Sequence, residues 1–369
     1  MAARANTIAQ AFSNKVMAEV YDKDILSEIV NRDYEGEINA VGSKINILNF
    51  DRVSEKTYTG SNLTADDLTE NNMSLTIDQY KYFYWREKTL DNWLSYIKNP
   101  HPTIVTQVAN ERSKNMDEFV LGLYGDVSAA NKVGTDYTTG TVTVDVTTGL
   151  VTGAATTFTS AMVGRGFKAT GHTKWYRVKS FSSTTSIVIE DDKDDAISAY
   201  TGGAIAGGTA YIISAVTAIS ITTGNLLQQV ALLKQKLDEA EQYDLNPSPD
   251  SDRFLIVPPA FENTLVRATG VALHVPEAYQ ELVKKGYLTT IQGFKVFKSN
   301  RLTGNNTDGW RILAGHPGWV TFAEKVLNAR MEEDLIGNFG SAYKDLFVYG
   351  AKVMDPRRSF AAELFATFA

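Results

Sequence analysis

A mixed α+β subunit interrupted by a small all-β unit is the fold class this sequence predicts. Three observations carry the prediction. Two stretches, 101–126 and 222–243, show the three- and four-residue apolar spacing of helices. Short β-branched runs surround them without the regular strand–helix alternation of a nucleotide-binding sheet. Residues 134–214 form a block with its own composition. Its 17 Thr, 11 Gly, single leucine (Leu150) and lack of proline remove helix and favour strands.

Composition bounds the rest. With 369 residues, 43% hydrophobic and 21% charged, the chain can bury a sizeable core and is not disordered overall. A net charge of −7 argues against a protein whose main task is gripping phosphate backbones. The absence of cysteine removes disulfides, thiolate nucleophiles and Cys-based zinc sites together. The opening "MAARANTIAQAF" lacks the apolar core of a signal peptide, and no run of 18 apolar residues occurs. Synthesis in the cytoplasm without a membrane anchor is the expectation.

Along the chain, Ile8, Phe12, Val16 and Val20 follow at i+4 spacing, so the first segment is expected to be an amphipathic helix. Such a helix lies on its own domain or reaches a neighbour. Gly36 and Gly42 punctuate a turn-rich stretch, after which Ile45 and Ile47 alternate as in a strand. A polar segment, 51–74, leads into "SLTIDQYKYFYWRE". There Leu75, Ile77, Phe83 and Trp85 share one parity, while Tyr80, Tyr82 and Tyr84 share the other. Large residues on both faces predict cover on both faces, within the chain or on association. Together these pieces read as a long two-stranded hairpin with a polar tip, which needs a surface to lie on.

Pro102 suits the first turn of the 101–126 helix, a rod of about seven turns. The Thr-rich block reads as about six short strands inserted into the sequence, so the rest is expected to fold without it. In the 222–243 helix, Thr223 is the expected cap, and Leu226, Val230, Leu233, Leu237 and Ala240 form one stripe. "RFLIVPPAFENTLVRA" reads as a buried strand, a Pro-Pro stop and a helix. "YLTTIQGFKVFKSNRL" and "WRILAG" read as strands, and "HPGWVTFAEKV" as a short helix. The closing "LFVYGAKV" precedes an apolar tail with Phe360, Leu364, Phe365 and Phe368, tied down by this chain's core or by another copy.

Catalytic marks are missing. His101, His172, His274 and His316 share no ligand spacing, and HExxH, GxSxG and Walker-type runs are absent. The run Glu190–Asp195, "EDDKDD", reads as a solvated loop tip, with an oxygen-ligated cation as the alternative. Arg357 and Arg358 read either as a surface pair or as partners for carboxylates across an interface. No cofactor or metal is expected, and the chain is not read as an enzyme.

The runs "YLTTIQGFKVFKSNRL", "ILAGHPGWVTFAEKV" and "KDLFVYGAKVMDPRR", in that order, resemble the second half of the major capsid proteins of tailed bacteriophages, whose fold herpesvirus shells share. "IVNRDYEGEINAVGSKINI" resembles that family's entry into its extended loop. The resemblance implies an N-terminal arm at 1–40, an extended loop at 41–88 and a peripheral domain with spine helix at 89–133. It further implies an axial domain at 215–345 and a C-terminal return to the peripheral domain at 346–369, with 134–214 as an added all-β insertion domain on the outer surface.

The implied function is self-assembly, through pentamers and hexamers, into an icosahedral shell around double-stranded DNA, which the shell would hold without sequence-specific contacts. The virion is the implied location. A separate scaffolding protein and a portal are the further partners. Subunit contacts would fall on Phe12, Val16 and Val20 of the arm and on Arg52, Glu55, Lys56 and Tyr58 of the loop. Tyr80, Tyr82, Tyr84, Trp85, Arg357 and Arg358 complete the expected set. Some relatives cross-link through a loop lysine; Lys56 stands nearby but is read only as a contact residue. The alternative is another virion part, a tail-tube or decoration protein with a glycan-binding β-module.

Overall fold

Four consecutive apolar residues, Phe254 to Val257, require cover on both sides of a strand. In the computed structural model of the protein, they form a fully buried strand in the middle of a sheet. The structure describes residues 25–34, 44–50, 55–58, 65, 70–89, 101–192, 199–239, 248–271, 290–332 and 339–368. Across that sheet the strands run Ile219–Ile221, Ala361–Phe368, Gly309–Gly315, Phe254–Val257, Phe294–Lys298 and Thr290–Ile291. Phe254 and Ile256 point into a core shared with Met116 and Val120 of the long helix and with Trp319 and Phe322. Leu255 and Val257 point the other way, against Leu226, Val230, Leu233 and Leu237.

Both helices form where their stripes predict. The long helix spans His101–Leu121, with Pro102 in its first turn as expected. The second spans Leu226–Asp238, and its four leucine and valine stripe residues are all buried. Its N-cap position belongs to Asn225 and not to Thr223; the Asn225 carboxamide instead closes a turn by accepting from the Thr222 N–H at 2.7 Å. Pro259–Val271 is the helix expected after the Pro-Pro stop.

"HPGWVTFAEKV" is not helical beyond one 3-10 turn, Pro317–Trp319. From Val320 to Glu332 the chain is a thirteen-residue strand paired with Gly340–Val353. The β-branched and aromatic residues Val320, Thr321 and Phe322 fit a pleated, buried surface better than a helix. The apolar tail finds cover at home. Ala361–Phe368 pairs antiparallel with Gly309–Gly315 and parallel with Ile219–Ile221, and the Phe368 ring meets Phe261 edge-on at 6.1 Å.

The expected hairpin is shorter than its sequence suggested. Lys44–Phe50 pairs with Glu70–Thr76, and beyond Ile77 the chain leaves to form Gln79–Lys88 beside Gly340–Val353. The switch has a packing cause. Phe83 stacks on Phe347 at 6.3 Å and Trp85 on Tyr343 at 5.0 Å, contacts that draw the strand onto Gly340–Val353. At the switch, a Cβ on Gly350 would come within 2.4 Å of the Thr76 carbonyl oxygen, so only glycine lets the two segments touch.

Residues 135–217 build an eight-stranded sheet, where about six strands were expected. It has its own core, including Val142, Val151, Phe167, Ile187 and Ile213, all fully buried. Beside that core, the Ala169 N–H donates to His172 Nδ1 at 3.3 Å. The ring proton therefore sits on Nε2, 2.7 Å from the Tyr200 hydroxyl, which donates to the Gly203 carbonyl at 2.6 Å. Burial is the main force holding His172 below its ordinary pKa, and burial likewise pushes Tyr200 up to about 12. A histidine with a depressed pKa stabilises the fold fully above its unfolded value near 6.5, and less as pH falls below it. Thermal scans are therefore expected to show this unit weakening below about pH 6, and His172→Gln is expected to flatten that slope.

Candidate assembly surfaces

The strand Gln79–Lys88 sorts its side chains by parity. Phe83 and Trp85 face inward, toward Phe347 and Tyr343. Behind them Arg112 of the long helix pairs with Asp345 and lies 3.9 Å above the Phe347 ring. Contacts within the chain leave Phe83 and Trp85 half-buried on that face. On the opposite face Tyr80, Tyr82 and Tyr84 are 48%, 74% and 54% exposed, and Leu346 beside them is 38% exposed. Tyr82, Tyr84, Lys344 and Leu346 border a shallow cavity of about 340 Å³. Trp85, expected among the contact residues, shares the inner face with Phe83 and stacks on Tyr343.

A row of half-free tyrosines has an energetic meaning. Covering roughly 80 Å² of ring at about 25 cal/mol per Å² contributes about 2 kcal/mol per tyrosine. Leu346 joins this surface without having been singled out in the sequence. The signal was present in "KDLFVYG", where adjacent Leu346 and Phe347 must face opposite sides of a strand.

The hairpin Lys44–Phe50/Glu70–Thr76 pairs with no further strand among the described residues. Ile45, Leu75 and Ile77 anchor its base on Ala323, Val348 and Met354. Beyond it Glu55, Lys56 and Tyr58 are exposed, Tyr58 at 70%. Arg52, Phe12, Val16 and Val20 lie outside the described residues. At the hairpin's base Arg357 lines a pocket of about 110 Å³ together with Tyr34, Ile47, Met73 and Met354.

Arg358 corrects the expectation of an interface pair. It is 2% exposed, donates from Nε to the Asp126 carbonyl at 2.8 Å and lies 3.0 Å from Asp192. Its charge is used inside the chain. The described residues of the acidic run, Glu190 to Asp192, are likewise not a solvated tip. Glu190 is buried against Arg177 at 2.8 Å and Lys179 at 3.1 Å, and Asp191 accepts from Thr201. Asp194 and Asp195 lie outside the described residues. Among the described residues no group of three or more metal-ligating side chains comes together, and none of the described helices is long and apolar enough to cross a membrane.

A family model described as phage capsid protein matches residues 184–361, from within the eight-stranded sheet to the start of the closing strand. No curated protein matches the sequence. Among solved structures, one from Mycobacterium phage Che8 is 16% identical, with 98% of each chain covered and a TM-score of 0.58. The capsid of the cyanophage P-SCSP1u is 13% identical over 98% of this chain and 94% of that one, with a TM-score of 0.57. The capsid of Ralstonia phage GP4 is 12% identical over 99% and 97%, with a TM-score of 0.54. Identities this low establish the fold, a mixed α+β subunit of the phage-capsid type, and do not favour a tail-tube or decoration protein. Joined to the family segment, they make this chain similar to phage capsid proteins in fold and, over residues 184–361, in sequence.

Proposed function

We propose that this subunit assembles through pentamers and hexamers into an icosahedral shell around the double-stranded DNA of a tailed phage. The observation that carries the proposal is the outward row Tyr80, Tyr82 and Tyr84, on a sheet whose other face is already packed. Neighbouring copies cover that row, Leu346 and the exposed loop residues Glu55, Lys56 and Tyr58. Arg357 and, from the arm, Phe12, Val16 and Val20 with Arg52 of the loop contribute further contacts. Closed symmetry uses up each such surface, so growth stops.

In this reading 1–40 is the arm, 41–88 the extended loop, and 89–133 with the returning segment 346–369 the peripheral domain. Residues 215–345 supply the axial domain. Residues 134–214 are an insertion domain on the outer surface, a reading supported by their separate sheet and core. The DNA lies against the inner face without sequence-specific contacts, as suits a net charge of −7. A separate scaffolding protein and a portal guide assembly in the host cytoplasm, and the subunit carries no catalysis. Electron microscopy of the expressed chain, alone and with its phage's scaffolding protein, is expected to show closed shells or tubes of capsomers. Small uniform rings in both samples would favour a tail-tube component instead.

A further inference from the structure

The insertion and the core meet through charge out of contact with water. Glu363, in the middle of the closing strand and fully buried, accepts from Arg165 of the 135–217 unit at 3.0 and 3.3 Å. It accepts as well from Arg311 of the core sheet at 2.8 Å. At the other end of the same contact Asp192 accepts from the Ser128 hydroxyl at 3.1 Å and the Ala129 N–H at 2.6 Å. Asp192 also faces Arg358, three residues ahead of the closing strand, at 3.0 Å. Between the two, Lys132 donates to the carbonyls of Gly125 at 2.8 Å and Gly164 at 2.7 Å. Lys132 and Val133 pair in parallel with Glu363 and Leu364. A hinge for a loosely attached ornament would use short polar loops. Here each side supplies the counter-charges of the other, and a buried charge left without its partner is strongly destabilising.

We propose that the 135–217 unit is a clamp on the closing strand: the C-terminal strand keeps its seat only while this unit is docked, and the two open as one cooperative piece. Removing the unit would leave Glu363 without Arg165 and Arg358 without Asp192, both inside the protein. The insertion is therefore not removable in the way its composition suggests.

Native-state hydrogen exchange on the full chain, followed by mass spectrometry in rising denaturant, tests this. In the wild-type protein, peptides covering 211–217 and 361–368 are expected to open together, with the same denaturant dependence. Arg165→Met is expected to speed exchange in 361–368 by about tenfold or more, while the interior strand around Ile187 changes by less than about twofold. Asp192→Asn, which keeps the side chain's size, is expected to act in the same direction. Separate opening of the two wild-type peptides, with 361–368 still protected after 211–217 has exchanged, would overturn the clamp. So would unchanged protection of 361–368 in both variants. The wild-type comparison decides the matter even if a variant fails to fold.

Discussion

Replacing Tyr82 and Tyr84 together by serine is expected to abolish particle formation while shifting the subunit's melting temperature by only a few degrees. Both rings are more than half exposed in the single chain, so their loss removes little from its core. At a contact between copies the same two rings supply about 4 kcal/mol, which is roughly a thousandfold in affinity. A shell multiplies that loss over every repeated contact. Phe83→Ala, one position away, is expected to act oppositely: Phe83 stacks on Phe347 inside the chain, so its loss lowers subunit stability first. Sedimentation velocity and thermal scans on the two variants separate these effects. Intact particles from the double serine variant would remove the tyrosine row from the interface.

Trp319→Ala is expected to cost about 3–5 kcal/mol of subunit stability, a large part of the 5–15 kcal/mol typical of a domain. The indole is fully buried, lies 6.5 Å from the Phe254 ring and donates to the Ile29 carbonyl at 3.0 Å. Truncation empties the core between the long helix and the central sheet. It also leaves the Ile29 carbonyl without its donor, which loosens the segment 25–34, still held by the Asn31 backbone bonds to Val320 and Phe322. Urea titration should show the midpoint falling sharply; a loss under about 1 kcal/mol would mean that the site collapses and refills.

What the sequence makes legible is what local rules decide. The leucine stripe from Leu226 to Leu237 and the all-apolar run Phe254–Val257 read correctly because helix period and two-sided burial are written in adjacent residues. The Thr-rich block read as all-β for the same reason, although its strands were undercounted. Tertiary competition was not legible. "HPGWVTFAEKV" opens like a helix, and the facing strand Gly340–Val353 draws Val320–Glu332 into a strand that its β-branched residues suit. Ile77 gave no sign that one hairpin strand would divide there and follow two different partners.

The candidate surface was half legible. Alternation set Tyr80, Tyr82 and Tyr84 apart from Phe83 and Trp85 but could not tell which parity would be covered at home, so Trp85 was still expected among the contact residues. Arg358 shows the harder limit. Its partner Asp192 is 166 positions earlier in the chain, and no spacing rule joins an arginine pair to a carboxylate run across that distance. Acidic runs are usually solvated, so a general rule pointed away from the joint that the fold makes.

The central claim is that this polypeptide carries a face it cannot cover alone. A cryo-electron microscopy map of the particle assembled from the purified chain tests it most directly. The account predicts density from an adjacent subunit lying across Tyr80, Tyr82, Tyr84 and Leu346. A particle in which those side chains open onto solvent, or a chain that stays monomeric at high concentration, would contradict it.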